Sequence, residues 1–207
     1  MSSPLAILAA VFGAAAGAFV PHVAWRLAVP FGDPPRLSWL GWVRAGGSRT
    51  TVLTASAACW LLAVEVGASV VLPVLLLAVV LGVLLSEIDL RCLRLPDPIV
   101  GALALAVLPV GLAGSVGRGL AAAVVVGSGY LALSVLSGGR LGLGDVKLAA
   151  VLAYVLGSVS WTAVGLGVLI PHSVNGSVAL FMLLRGRGRD LPLGPSLLIG
   201  ALLALTA

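Results

Sequence analysis

Long apolar runs, broken by short stretches that hold nearly all the charge, constrain this chain more than any other feature. The runs cover residues 4–28, 51–66, 68–85, 99–112, 120–136, the segment up to 156, then 160–184 and 193–205. A hydrocarbon core about 30 Å thick takes about 20 apolar residues in a helix, and a helix satisfies its own backbone groups inside lipid. Only 9% of the residues are charged, against about 25% in soluble domains. That leaves too little polar surface to cover a water-exposed globule. The pattern predicts an all-α integral membrane protein, a polytopic bundle of about eight transmembrane helices. Residues 1–207 have room for a single membrane-embedded domain and little else.

The net charge of +5 would suggest nucleic acid in a soluble protein. Here the basic residues flank apolar runs, so they face anionic membrane lipids and set topology, and no nucleic-acid partner is expected. Cys59 and Cys92 lie in different segments and form neither a zinc pattern nor a disulfide framework. Residues 5–20 have the length of a signal-peptide core, yet no Lys or Arg precedes them, so they read as a retained first span. That span carries Gly13 and Gly17 at the spacing that lets helix backbones approach. Residues 30–50 form the one long polar loop, stopped by Pro30, Pro34 and Pro35 and made basic by Arg36, Arg44 and Arg49. Placing this loop in the cytoplasm and threading eight spans alternately leaves Arg118 as the one basic residue away from that side. Two spans then separate the acidic stretch 87–97 from the stretch 141–148, so both reach the same face.

Those two stretches carry the chemistry. L-G-L-G-D-V-K-L at 141–148 sets Asp145 beside Gly142, Gly144 and Lys147. An ionised Asp at a bilayer is costly and reads first as functional. The plainer alternative is a turn whose Asp caps the next helix. The other stretch, S-E-I-D-L-R-C-L-R-L-P-D-P, offers Glu87, Asp89 and Asp97. Asp89 can sit on the last turn of the preceding helix, whereas Asp97, between two prolines, reads as a helix start. Glu87 reads as an interface carboxylate. Two carboxylates a few ångströms apart do not both ionise readily, so one keeps a proton near neutral pH. The charged one then deprotonates water while the other polarises a peptide carbonyl, chemistry that needs no metal, cofactor or nucleophilic side chain. Pro171, His172, Ser173, Asn175 and Ser177 form a polar patch within a long run, read as a kink with interhelical hydrogen bonds. Arg185, Arg187 and Arg189 read as topology charges.

G-L-G-D-V-K at 142–147, the stretch E-I-D-L-R-C-L-R-L-P-D at 87–97, and L-P-L-G-P-S-L-L-I-G-A at 191–201 occur in that order. Together they resemble the type IV prepilin peptidases, membrane aspartic proteases of the G-x-G-D kind. The resemblance makes Asp89 and Asp145 the catalytic pair, with Gly142, Gly144 and Lys147 as the supporting motif. It implies prepilin- or pseudopilin-like substrates whose short basic leader ends in Gly before an apolar helix. It also implies cleavage at the cytoplasmic face of the cell membrane. Relatives that also N-methylate the new terminus carry two C-x-x-C pairs in a large loop. The short, cysteine-free 30–50 loop departs from that, so cleavage without methylation is expected. The rivals are a small transporter or channel using the aspartates as ion sites, an inactive pilus-assembly scaffold, and a presenilin-like protease. The last pairs its G-x-G-D with Tyr-Asp, whereas here Ile88 precedes Asp89.

Overall fold

The structure, a computed structural model, describes residues 3–28, 41–139, 141–185 and 191–207. Among the described residues the chain forms eight helices and no strand. They are α1 (Ser3–Ala28), α2 (Gly41–Val66), α3 (Leu72–Cys92), α4 (Asp97–Ala113), α5 (Val116–Leu136), α6 (Leu143–Val159), α7 (Trp161–Leu184) and α8 (Gly194–Leu205). Five of them, α1, α2, α3, α5 and α7, are long and apolar enough to cross a bilayer. The protein is therefore an all-α, multi-pass membrane protein.

Several boundaries differ from the sequence expectation for local reasons. The 30–50 loop lies outside the described residues through position 40, and from Gly41 onward the chain is already helical. No proline follows Pro35 in that segment, and an established helix extends residue by residue at little cost. Helix α3 begins at Leu72 rather than 68, because Gly67 is left-handed (φ +64°) and Pro73 starts the new helix. It then continues past the apolar run to Cys92, helped by the Glu87–Arg91 pair one turn apart. Leu93, in the left-handed region at φ 53°, ends it and returns its N–H to the Asp89 carbonyl at 2.8 Å. Arg140, Arg187 and Arg189 lie outside the described residues.

Helices α1 and α2 pack mainly on each other and on α3. A Cβ on Gly13 would stand 2.5 Å from the Ala55 carbonyl oxygen, and one on Gly17 would stand 2.6 Å from that of Thr51. The Thr51 hydroxyl donates to the Gly17 carbonyl at 2.9 Å across this seam. The Arg91 guanidinium lies 6.0 Å from the Trp25 ring centroid, which ties α1 to the end of α3. On the other side α6 contacts α4, α5, α7 and α8. Helices α4 and α8 each touch both α3 and α6 and so join the two halves. The shared core holds Leu85, Leu103, Val107, Leu148, Tyr154 and Leu197.

Arg118 is the basic residue that stood apart in the charge pattern, and it has a structural task. Its side chain donates to the carbonyls of Gly157 (2.6 Å), Ser158 (2.8 Å) and Val159 (2.8 Å). These are the last carbonyls of α6, which have no partner inside their own helix. Losing charged hydrogen bonds of this kind costs about 2–3 kcal/mol. Arg118→Ala is therefore expected to lower the thermal unfolding midpoint in detergent. Arg118→Lys, with a point charge in place of a planar fork, should recover only part of it.

Candidate active site

Asp89 sits on the last turn of α3 and is only 4% exposed. Its Oδ2 accepts a hydrogen bond from the Gly194 amide at 2.9 Å, a contact between residues 105 positions apart. Asp145 lies in the first turn of α6, where the helix dipole favours a carboxylate. Gly142 is the N-cap, and its carbonyl accepts from the Asp145 amide at 3.1 Å. The Asp145 side chain folds back over this cap, so that a Cβ on Gly142 would lie 3.4 Å from Oδ2. The two carboxylates lie within electrostatic reach of each other.

Asp145 Oδ1 is buried and has no hydrogen-bond partner among the described residues. Buried polar atoms are nearly always paired, so this oxygen is free to hydrogen-bond water or a reacting atom. Gly144 explains how the two stretches come together. A Cβ there would stand 2.8 Å from the Leu95 side chain and 3.2 Å from its carbonyl oxygen, so the link between α3 and α4 presses on the start of α6.

The other residues singled out from sequence fall around this pair. Lys147 bonds Asp97 at 2.7 Å, with side chains 51% and 66% exposed. Its ammonium thus ties the P-D-P turn to α6 rather than facing Asp145. Asp97 is the first residue of α4, with Pro96 as the N-cap, a helix start. Glu87 is buried but engaged by Arg91 (Nε–Oε1 2.9 Å). The polar patch makes the interhelical bonds read from sequence: Asn175 donates to Ser196 of α8 at 2.7 Å, and His172 Nδ1 lies 3.4 Å from the Tyr130 hydroxyl of α5. Among the described residues no three His, Cys, Asp or Glu side chains gather as a metal site would require.

Two site residues had gone without a role. Gly194 lies in the L-P-L-G-P segment, a signal that was legible but pointed to no partner. Tyr130 is buried within electrostatic reach of Asp145, and nothing in its apolar surroundings marks it in the sequence.

Comparison with protein families supplies the remaining observation. The model of the type IV leader peptidase family matches residues 75–204, well over half of the chain. The chain belongs to the type IV leader peptidase family. The match to these leader peptidases starts within α3 and ends within α8, so it takes in Asp89, Asp145 and Gly194 and leaves out α1 and α2. No curated protein and no solved structure matches the chain.

Because Asp97 and Lys147 are both largely exposed, their pair is worth at most about 1 kcal/mol. Asp97→Asn is expected to keep at least about half of the wild-type cleavage rate at matched protein levels. A Western blot of substrate processing measures this.

Proposed function

We propose that this leader peptidase is an aspartic endopeptidase that removes the short basic leader from prepilin-like membrane proteins, with Asp89 and Asp145 as its catalytic pair. The carrying observation is that α3 and α6 bring two carboxylates within electrostatic reach, with one buried carboxylate oxygen unpaired among the described residues. The ionised carboxylate takes a proton from water as the water oxygen attacks the scissile carbonyl carbon. The protonated carboxylate gives its proton to the carbonyl oxygen, forming a neutral tetrahedral gem-diol. Collapse breaks the C–N bond as one carboxyl gives its proton to the leaving nitrogen and the other carboxylate takes a proton from a gem-diol hydroxyl, so the pair ends as it began with one proton. A site at helix ends rather than mid-helix favours this reading over an ion pathway, whose carboxylates belong near the bilayer midplane.

Co-expression with a test prepilin, a basic leader ending in glycine ahead of an apolar helix, is the experiment. Faster migration of the substrate when this chain is present supports the reading, and unchanged migration with both proteins in the membrane refutes it. The 30–50 stretch has no cysteine, so the new N-terminus should carry no methyl group. A product heavier by one methyl group, dependent on this protein alone, would overturn that.

The proposed topology follows the basic residues: eight spans, the site at the cytoplasmic face, both ends outside. Helix α8 is the short member. Its 12 residues rise about 18 Å against a core of about 30 Å; it enters from the face that holds Asp89. Reporter fusions after Arg44, Arg94, Arg140 and Arg187 should report cytoplasm, and one after Arg118 the exterior. An exterior signal at Arg94 or Arg140 would contradict a cytoplasmic site.

A further inference from the structure

We propose that Gly194 is a positioning residue for this cleavage: its amide, presented by the first turn of α8, holds the Asp89 carboxylate in the pose from which it faces Asp145. The proposal rests on the peptidase reading above, and three observations carry it. The first is the bond itself, Gly194 N–H to Asp89 Oδ2 at 2.9 Å, buried. At a helix start this amide has no partner within α8, and Pro195 beside it has no N–H to compete.

The second observation is space. The three atoms nearest a Cβ on Gly194 all belong to Asp89: Oδ2 at 2.8 Å, Cγ at 3.3 Å and the Asp89 Cβ at 3.5 Å. The Gly194 backbone is not in the left-handed region, so conformation does not require glycine here. Room for the carboxylate does.

The third is what fixes the donor. The Leu193 carbonyl accepts from the Leu197 amide at 3.0 Å and from the Ser196 hydroxyl at 2.7 Å. Ser196 in turn accepts from Asn175 Nδ2 of α7 at 2.7 Å. The polar patch of α7 therefore acts as a strut for the first turn of α8, and Asn175 becomes a second, more remote positioning residue. A carboxylate displaced by about 1 Å can lose about 100-fold in rate.

The test uses the full-length protein in detergent, with kcat and KM for the test prepilin measured across pH. Asp145 acts on Asp89 from α6, Glu87 is paired with Arg91 on α3, Asp97 is paired with Lys147, and α8 carries no titratable side chain. Gly194→Ala is expected to lower kcat about 100-fold with little change in KM. Its pH profile should move upward, because a carboxylate that loses a donor ionises less readily. A mere loss of folded protein lowers the amplitude of the profile without moving it. Gly200→Ala is the control on the same helix, since its Cβ would meet Pro171 at 2.5 Å. It should lower the unfolding midpoint and leave the profile in place.

Should Gly194→Ala fail to accumulate, Asn175→Ala gives the milder version, about tenfold in kcat with a shift in the same direction. An unmoved profile in whichever of these variants is folded overturns the proposal. Activity in Asp89→Asn would instead remove Asp89 from the catalytic pair, and no cleavage by the wild-type chain would sink the peptidase reading. A dead Asp89→Asn beside a Gly194→Ala that cleaves like wild type would remove the positioning role alone.

Discussion

Asp89→Asn and Asp145→Asn should each reduce leader removal by at least about 1,000-fold, at membrane levels equal to wild type. Asparagine is nearly isosteric with aspartate. At position 89 its carbonyl oxygen can still accept the Gly194 amide, so the fold has no reason to fail. What is lost is the shared proton and the general base. The pair acts as a unit, and the double variant should be no worse than either single one. Asp97→Asn, which breaks only an exposed ion pair, is the internal contrast. Substrate processing in cells at matched enzyme levels reads all four. Full activity in Asp89→Asn beside a dead Asp97→Asn would mean the wrong carboxylate of the acidic stretch is assigned.

Gly157→Leu should prevent the protein from accumulating at all. The seam between α5 and α6 is built on backbone contact: a Cβ on Gly157 would stand 2.4 Å from the Ala122 Cβ and 3.0 Å from the Arg118 carbonyl oxygen. Neither neighbour is the end of a flexible side chain. Overpacking by one or two methylenes already costs about 1–3 kcal/mol, and a whole isobutyl group costs more. Helix α6 carries Asp145 and α5 carries Tyr130, so the site would be lost with the seam. Gly129→Leu, also on α5 but with no described residue outside its own helical turn within 4 Å of its Cβ, should be tolerated. Membrane abundance and thermal unfolding in detergent measure both variants. Wild-type abundance of Gly157→Leu would contradict the packing.

Most of this architecture was legible because a bilayer forces the pattern. Each apolar run became one helix, and the breaks fell at Gly67, Pro96 and Ser160, whose local chemistry stops or starts helices. Gly13 and Gly17 signalled a close helix approach, but not that α2 is the partner. Helix ends were harder: Asp89 reads onto the last turn of α3, but the Glu–Arg pair that supports that turn is not seen by an apolar count. Within the site, Asp89 and Asp145 announced themselves as charges beside apolar runs. Lys147 did so too, but the charge alone did not say that its partner is Asp97. Gly194 meets Asp89 through a backbone amide brought in by tertiary packing. No local signal gives the partner of a backbone N–H.

The central claim is that two helix ends, far apart in sequence, set Asp89 against Asp145. Its most direct measurement is cross-linking in the native membrane. Cysteines replace both aspartates in a chain lacking Cys59 and Cys92, a protease site is inserted between α4 and α5, and a short thiol-reactive bis-maleimide is added. After proteolysis the two halves should stay joined, as should those of a control chain with cysteines at Asp97 and Lys147, which bond at 2.7 Å. Halves that separate for 89 with 145 while the control pair stays linked would contradict the dyad.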